Sequence, residues 1–298
     1  MEKIKVAVIG AGGKMGTRTS NNLVTKFPDK FDVKLVETFP PAVERIEKER
    51  GLKVTPVDEA LAFADVVIFA VPDTLIKKLS AEYVPMLKPG TVFLILDPAA
   101  AVAKELTLRD DCTFGVAHPC HPSYFKWQKE EEAYQDRFGG EGGHQDIVMS
   151  CIQGDEEKFK LAQETARCMY RADKAFVMTS EQIAFLEPTL VETLGATCCY
   201  AMAETVNEAV KRGIDREAAV SFLTGPVFNL TANFLGYLPG NPPVSDACKV
   251  ALEIGNHLVL RDDWKKIWDD ELLRKVIATM LHPETSQENL GFDVKPQK

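Results

Sequence analysis

The chain has 298 residues, of which 45% are hydrophobic and 27% are charged, and its formal net charge at pH 7 is −9. This length allows one large domain or two ordinary ones, with enough apolar residues for a buried core. The acidic excess argues against a nucleic-acid partner, and no apolar run approaches the ~20 residues that span a bilayer. We expect no signal peptide, since the N-terminus leads directly into a strand. Seven cysteines without a C-x-x-C pair favour a cytoplasmic protein.

The first predicted strand, residues 3–9, ends at a cluster of glycines, and a helical pattern follows over residues 14–23. Glycine allows a positive φ and lets a phosphate approach the backbone without meeting a Cβ atom. The helix then offers free N–H groups and the positive end of its dipole. Gly10, Gly13 and Gly16 have the spacing G-x-x-G-x-x-G, because a methionine interrupts the shorter G-x-G-x-x-G pattern. The predicted pyrophosphate-binding loop comprises Gly10, Gly12, Gly13, Lys14, Met15 and Gly16.

An acidic residue ends the second predicted strand, residues 33–37. Glu37 lies 21 positions beyond Gly16, where dinucleotide-binding domains carry the carboxylate that binds the ribose hydroxyls. A carboxylate there accepts hydrogen bonds from the 2′ and 3′ hydroxyls and repels a 2′-phosphate, which predicts NAD rather than NADP as the cofactor. The alternative is a βαβ unit that binds no phosphate and leaves Glu37 in solvent.

Later strands are predicted over residues 65–71, 91–96 and 113–117. In a doubly wound sheet, ligands bind at the carboxyl edge of the strands, so the residues that follow these strands are candidates for the site. The expected side chains at this edge are Val71, Pro72 and Asp73 for the cofactor, and His118 and His121 on a proline-rich loop.

The segment over residues 126–145 is charged and rich in glycine, which predicts a mobile flap over the site. Two more strands are predicted after it, over residues 146–153 and 174–178, with a helix over residues 155–170 between them. These elements complete an N-terminal domain, residues 1–178, that we predict to bind the dinucleotide.

From residue 179 onward the pattern is helical. A capping box begins a long helix that runs to Arg212 and that Pro188 should kink. Further predicted helices cover residues 216–223, 227–235, 245–258 and 262–281, and the polar tail from His282 is expected to fray. The predicted fold class is therefore α/β, with a Rossmann-type doubly wound sheet followed by an all-α domain, residues 179–298, for substrate binding and dimerisation.

Several motifs give the chain a resemblance to known enzymes. Residues 201–215, a helix running into Gly-Ile-Asp, resemble the corresponding turn of the 6-phosphogluconate dehydrogenase and β-hydroxyacid dehydrogenase superfamily. The catalytic K-x-x-x-N motif of that superfamily is absent, and EPTLVE at residues 187–192 stands in its place. A closer resemblance is to the D-apionate oxidoisomerase family, through GAGGKMG at residues 10–16, AHPCHP at 117–122 and EPT at 187–189.

This resemblance implies an NAD-dependent oxidoreductase that oxidises D-apionate, a small branched hydroxy acid, and shifts its carboxylate to give 3-oxo-isoapionate. The shift needs a polarised carbonyl group, which a divalent metal ion such as zinc or magnesium provides. Imidazole and carboxylate groups suit such an ion, so His118 and Glu187 are the predicted metal ligands and catalytic groups. His121 and Glu192 are further catalytic candidates, although Glu187 and Glu192 would point about 140° apart on a regular helix.

Other interpretations stay open at the level of sequence. A plain NAD-dependent β-hydroxyacid dehydrogenase needs no carbon shift, and the missing K-x-x-x-N motif also fits an NAD-binding sensor without catalysis. His118 could instead cap a loop carbonyl, and Glu187 could be a solvated acid at a helix bend. The apolar surface of the helical domain predicts a homodimer.

Overall fold

The computed structural model of the chain describes residues 2–240 and 242–294, and these form two compact units. The first unit comprises residues up to Ala184 together with those from Arg274 onward, and the second comprises Phe185–Leu273. The chain therefore leaves the first unit just after the predicted domain boundary at residue 178, and its C-terminal end belongs to the first unit.

One mostly parallel sheet forms the centre of the first unit. Its strands are β1 (Ile4–Ile9), β2 (Phe31–Val36), β3 (Val66–Phe69), β4 (Val92–Ile95), β5 (Thr113–Pro119), β6 (Gln145–Gln153) and β7 (Ala172–Val177). Their order is β2-β1-β3-β4-β5-β6-β7, and β6 runs antiparallel to β5 while the other pairs are parallel. The predicted Rossmann-type fold class is confirmed.

The central strands are apolar on both faces, as expected where helices cover both sides of a parallel sheet. Every residue of β3 and β4 is at most 1% exposed. In the parallel register Ile9 pairs with Phe69, Phe69 pairs with Ile95, and Ile95 pairs with Val116. The carboxyl ends of β1, β3, β4 and β5 therefore meet at one edge of the sheet, where the candidate site lies.

Helices surround this sheet. They are α1 (Lys14–Thr25), α2 (Pro40–Glu44), which continues as a π-helical turn (Arg45–Glu49), α3 (Val57–Phe63), α4 (Asp73–Tyr83), α5 (Ala99–Val102), α6 (Glu131–Gln135), α7 (Glu156–Met169) and α8 (Ser180–Ala184). The buried Asn22 side chain of α1 donates a 2.9 Å hydrogen bond to the carbonyl of Met169 at the end of α7. This bond holds the helix that follows the glycine loop against the rest of the unit.

The second unit is helical. It contains a π-helix (Phe185–Ala196), α9 (Thr197–Lys211), α10 (Arg216–Phe234), α11 (Asp246–Leu258) and a 3₁₀ turn (Trp264–Trp268), and α12 (Asp270–Leu281) follows. The all-α character predicted for this part of the chain is confirmed. Within the described residues, none of the helices combines the length and apolar character that crossing a membrane requires.

Two helix predictions need correction. Residues 216–223 and 227–235 were predicted as separate helices, but α10 is continuous through Pro226. The proline removes one helical hydrogen bond, and the exposure of the neighbouring Phe222 shows that water can reach this stretch. The described part of the tail, residues 282–294, is also structured, because His282 bonds to Glu105 at 2.9 Å and a short helix, α13 (Ser286–Leu290), follows.

The glycine-rich segment between β5 and β6 is packed rather than an open flap. The Asp136 carboxylate accepts hydrogen bonds from the backbone N–H groups of Glu141, Gly142 and Gly143, at 2.9 to 3.0 Å. Asn21 of α1 donates to the carbonyl of Gly140 at 2.7 Å. The structure therefore shows a loop hydrogen-bonded within itself and to α1, and the mobility predicted for it stays a prediction.

Candidate active site

The glycine loop between β1 and α1 brings two backbones into direct contact. Gly10 has φ +77°, and a Cβ atom there would lie 2.5 Å from the carbonyl oxygen of Ala70. A Cβ atom on Gly16 would lie only 2.1 Å from the carbonyl oxygen of Gly10. A Cβ atom on Gly12 would also lie less than 3.0 Å from its nearest neighbouring atom, whereas for Gly13 this distance is 3.3 Å. The crowded glycines are thus Gly10, Gly12 and Gly16, rather than the evenly spaced set with Gly13.

The other predicted loop residues lie at the start of α1. Gly13 caps the helix, Lys14 is its exposed first residue, and Met15 is half-buried and packs against the core. The free N–H groups of this helix end therefore lie beside the glycine turn, as a pyrophosphate site requires.

Glu37 lies beside this loop at the end of β2. Its carboxylate accepts a 3.0 Å hydrogen bond from the N–H of Gly12 and two more from the N–H groups of Thr38 and Phe39. A carboxylate has about four acceptor positions, so capacity remains for ribose hydroxyls. Arg45 holds the same loop by donating to the carbonyl of Gly12 at 2.8 Å.

Two aspartates follow the adjacent strands β3 and β4. Val71 is half-buried and Pro72 exposed, and Asp73 begins α4. Although much of Asp73 is exposed, protein atoms crowd its carboxyl group, and this loss of water raises the pKa of Asp73 to about 7. The Asp97 carboxylate raises that pKa further and His118 opposes the shift, so the three groups share one electrostatic environment.

His118 lies near the end of β5, and one of its ring nitrogens is fixed. Its Nδ1 atom is 2.8 Å from the carbonyl oxygen of Leu96. Because a carbonyl oxygen only accepts, Nδ1 carries the proton, and in the neutral ring Nε2 is the basic nitrogen. The Asp97 carboxylate lies 4.0 Å from Nδ1, close enough to stabilise a positive charge on the ring.

The second predicted histidine is turned toward the loop that follows β5. His121 has φ +59°, its Nδ1 atom lies 3.1 Å from the carbonyl of Phe138, and its ring packs edge-on against Phe138. These contacts give His121 a part in holding the loop. Its predicted catalytic role stays a prediction.

Glu187 and Glu192 belong to the second unit, and both lie in the π-helix. The hydrogen bonds of a π-helix join residues five apart, so these two carboxylates share a face. This corrects the separation of about 140° expected for a regular α-helix. Glu187 is half-buried and Glu192 exposed.

In the part of the chain that the structure describes, no three His, Cys, Asp or Glu side chains assemble into a group that could hold a metal ion. His118 and Glu187 remain suitable donors by chemistry, and each is positioned within its own unit.

Comparison with known proteins agrees with this geometry. Residues 1–114 match the family described as acetohydroxy acid isomeroreductase, NADPH-binding domain, and residues 126–281 match phosphogluconate dehydrogenase (decarboxylating) C-term. The chain is 72% identical to a D-apionate oxidoisomerase of Blautia hydrogenotrophica, over 96% of this chain and 100% of that protein. A D-apionate oxidoisomerase of Cupriavidus necator is 41% identical, over 92% of this chain and 98% of that protein. The chain belongs to the D-apionate oxidoisomerase family.

Solved structures extend the comparison. A protein from Cupriavidus necator, described as a semialdehyde dehydrogenase NAD-binding protein in complex with calcium and NAD, is 41% identical with a TM-score of 0.87, and the match covers 94% of this chain and 100% of that one. An NADH-preferring ketol-acid reductoisomerase from an uncultured archean is 18% identical with a TM-score of 0.63, and covers 96% of this chain and 84% of its own. The second likeness concerns the fold alone.

Two residues of this family member were missed by sequence analysis. Arg45 contacts the glycine loop from a helix that no motif marks. Asp97 comes shortly after β4, as Asp73 comes shortly after β3. An acidic residue after a buried strand is therefore a sequence signal that could have identified Asp97 as a site residue. The chemistry of His118 depends on Asp97 and Leu96, which are more than 20 residues away in sequence.

Proposed function

We propose that this member of the family catalyses the NAD-dependent oxidation of D-apionate with a shift of its carboxylate, to give 3-oxo-isoapionate. The observation that carries the proposal is the hydrogen bond between His118 and Leu96. It makes Nε2 the basic nitrogen of the neutral His118 ring, at the sheet edge where the glycine loop also lies. The full-length similarity to relatives named D-apionate oxidoisomerase supports this substrate.

The protons and electrons of the oxidation can be accounted for with these groups. Nε2 of His118 takes the proton of the substrate's secondary hydroxyl, and the C–H bond of the same carbon breaks as the ketone forms. NAD, when bound, supplies the acceptor for that hydride. The Leu96 carbonyl and the Asp97 carboxylate stabilise the charged imidazole. In the carbon shift that follows, the bond between the adjacent hydroxyl-bearing carbon and the migrating group breaks as that group bonds to the new carbonyl carbon. The adjacent hydroxyl loses its proton and becomes the final ketone, and the first carbonyl oxygen gains a proton and becomes a hydroxyl, with no net change in electrons.

The variant His118→Asn tests the base. An asparagine amide can still donate to the Leu96 carbonyl but cannot take a proton, so turnover should fall by at least about 10²-fold. Binding of NAD, measured separately by calorimetry, should be unchanged. Unchanged turnover would remove His118 from the chemistry.

In the wild-type protein, an oxidised product with an unrearranged carbon skeleton would identify a plain β-hydroxyacid dehydrogenase. Absence of NADH across a panel of hydroxy acids, with NAD bound, would favour a sensor.

Glu37 supports NAD over NADP as the cofactor. Its carboxylate is held beside the loop by three backbone N–H groups, so a 2′-phosphate would meet a fixed negative charge. We expect the dissociation constant for NADP to exceed that for NAD by about tenfold or more, and Glu37→Gln to narrow this ratio. Tighter binding of NADP by the wild-type protein would overturn this part of the proposal.

A divalent cation, with His118 and Glu187 as its protein ligands, is an alternative to the role of His118 as base, because Nε2 cannot bind a cation and take a proton at the same time. When bound, zinc or magnesium would supply the polarisation of the new carbonyl that the carbon shift needs. Removal of the metal by a chelator should abolish formation of the rearranged product from D-apionate, and zinc or magnesium should restore it. Glu187→Gln should weaken metal binding measured by calorimetry, whereas Glu217→Gln, at an exposed position of α10, should serve as the matched control. Full activity after chelation would exclude an essential metal.

We also propose a cytoplasmic homodimer formed through the second unit. Val250, Ile254 and Leu258 repeat at helical spacing on α11 and are 52 to 80% exposed. Between α9 and α10 lies an apolar groove of about 530 Å³. A second copy would bury these surfaces at a favourable ~25 cal/mol per Å². The seven cysteines form no disulfide, in line with a reducing compartment.

A further inference from the structure

A cavity of about 570 Å³ lies beside α1 in the first unit. One wall is formed by Thr17, Arg18 and Asn21 of α1, and a second by Arg50, which follows the π-helical turn. Residues 135–141 of the packed loop form the rest. The cavity shares no residue with the glycine loop, which ends at Gly16, or with the His118 site.

Three guanidinium groups surround this cavity: those of Arg18, Arg50 and Arg137. The chain carries 44 acidic and 35 basic residues, so carboxylates are plentiful. Even so, none of the three arginines forms an ion pair with any carboxylate of residues 2–240 and 242–294. Three positive charges around one concavity, none of them in a direct ion pair, favour the binding of an anion there.

The arginines are held by contacts that leave donors available. The guanidinium of Arg18 lies 4.6 Å from the ring centre of Phe138, and that of Arg137 lies 4.2 Å from Tyr124 and 3.9 Å from Tyr134. Stacking on an aromatic face uses the flat side of the guanidinium, so its N–H groups at the edge stay able to donate. Both groups are thus pre-positioned for an oxyanion.

The guanidinium group of Arg50 lacks part of its hydrogen bonding. Its Nη2 atom donates to Ser20 at 3.0 Å, while its Nη1 atom is buried and has no hydrogen-bond partner among the described residues. Burial lowers the pKa of Arg50 from its usual value, because the charged form has lost water without gaining a counter-charge. A nearby anion would offset this loss.

Two acidic residues, Asp136 and Glu141, line the same cavity, so the three arginines exceed the carboxylates there by one charge. Burial alone would raise the pKa of the Asp136 carboxyl group, but hydrogen bonds from backbone N–H groups, chiefly of Gly142 and Gly143, lower it overall. Its oxygen is therefore committed to the loop backbone. Glu141 is exposed, and its side chain can turn into solvent.

We propose that this cavity binds the phosphate group of a small organic phosphate, at a site separate from the cofactor loop. A phosphate ester carries up to two charges and several oxygens, which suits a set of arginine forks better than a single carboxylate. The volume lies within the ~300–1,000 Å³ range of small-molecule sites, so it has room for the organic part of the ligand.

The test must keep phosphate out of the glycine loop, so it uses the full-length protein saturated with NAD. Ribose 5-phosphate and inorganic phosphate are titrated by calorimetry at constant ionic strength, with ribose as the uncharged control. We expect ribose 5-phosphate to bind more tightly than inorganic phosphate, and ribose not to bind. Absence of binding by ribose 5-phosphate would overturn the proposal, and so would binding of inorganic phosphate alone.

Variants assign the binding to the cavity. Arg18→Gln and Arg137→Gln should each weaken ribose 5-phosphate binding by about tenfold or more. The exposed Arg167→Gln, on α7, changes the charge equally and should have no effect. Arg137→Lys keeps the charge but loses the two-pronged guanidinium group, and it should also bind ribose 5-phosphate less tightly than the wild-type protein does. This conservative variant keeps the test valid in case Arg18→Gln disturbs the loop. Equal affinity in the cavity variants and in Arg167→Gln would place the phosphate elsewhere.

Discussion

The two units of this protein treat their apolar residues in opposite ways. In the first unit β3 and β4 are buried throughout, and Phe93 is 0% exposed between Phe69 and Phe114. In the second unit no residue of α11 is buried, and Phe222 of α10 is 82% exposed. The first unit completes a hydrophobic core from its own chain, and the second presents apolar side chains to the outside.

This difference follows from the architecture of each unit. A parallel sheet needs crossover helices on both faces, so its strands are covered by the same chain that forms them. A helix buries only one stripe against its neighbours, and the remaining apolar residues need a further surface. Stability of the first unit should therefore be a property of one chain, whereas the second should depend on association.

The largest expected effect separates these two cases. Phe93→Ala removes a fully buried ring between two aromatic neighbours, so the free energy of unfolding should fall by about 3–5 kcal/mol. Urea denaturation at two protein concentrations should give the same loss, because the cavity lies within one chain. Phe222→Ala is the matched control and should leave the first-unit transition unchanged. A comparable loss in both variants would contradict the contrast between the units.

A smaller effect is expected at α11. Leu258→Asp places a charge on the exposed apolar face, and the proposed homodimer should dissociate because a buried unpaired charge costs several kcal/mol. Sedimentation velocity should show a shift from dimer to monomer. Asn256→Asp adds the same charge to the same helix and should leave the dimer intact. A wild-type protein that is monomeric at high concentration would remove the proposed partner surface.

The smallest effect concerns the C-terminal segment of the first unit. Burial would raise the pKa of Glu105, but hydrogen bonds from His282 and Lys77 lower it below the usual 4.5. The resulting stabilisation is fully present at a pH above 4.5, the pKa of Glu105 in the unfolded chain, and it is lost as the pH falls through the lower pKa of the folded state. Glu105→Gln should cost about 1 kcal/mol at neutral pH and lose less stability on acidification. Thermal melting between pH 7 and pH 3 measures this, with exposed Glu288→Gln as control.

Much of the cofactor site was predictable because its signals are local. Gly10, Gly12 and Gly13 lie between β1 and α1, Gly16 lies in the first turn of α1, and Glu37 directly follows β2. The histidine of β5 was also found at a strand end. The tautomer of His118 was not predictable, because it depends on the carbonyl of Leu96 from another strand.

The helical unit was less predictable in detail. A proline predicts a kink at Pro188 and a break at Pro226, but the structure has a π-helix at the first and a continuous helix at the second. Proline removes the same hydrogen bond in both places, and the surroundings decide how the backbone adjusts. The shared face of Glu187 and Glu192 follows from that adjustment.

The sequence by itself determined the α/β fold class, the glycine turn and the acid that follows it, because strand periodicity and turn chemistry act within short windows of chain. Only the tertiary structure decided which polar groups are satisfied. It packed the glycine-rich loop on α1, anchored His282 on Glu105 and gathered Arg18, Arg50 and Arg137 around one cavity. Those contacts join residues far apart in sequence, and their energies depend on burial and on neighbours that no local pattern encodes.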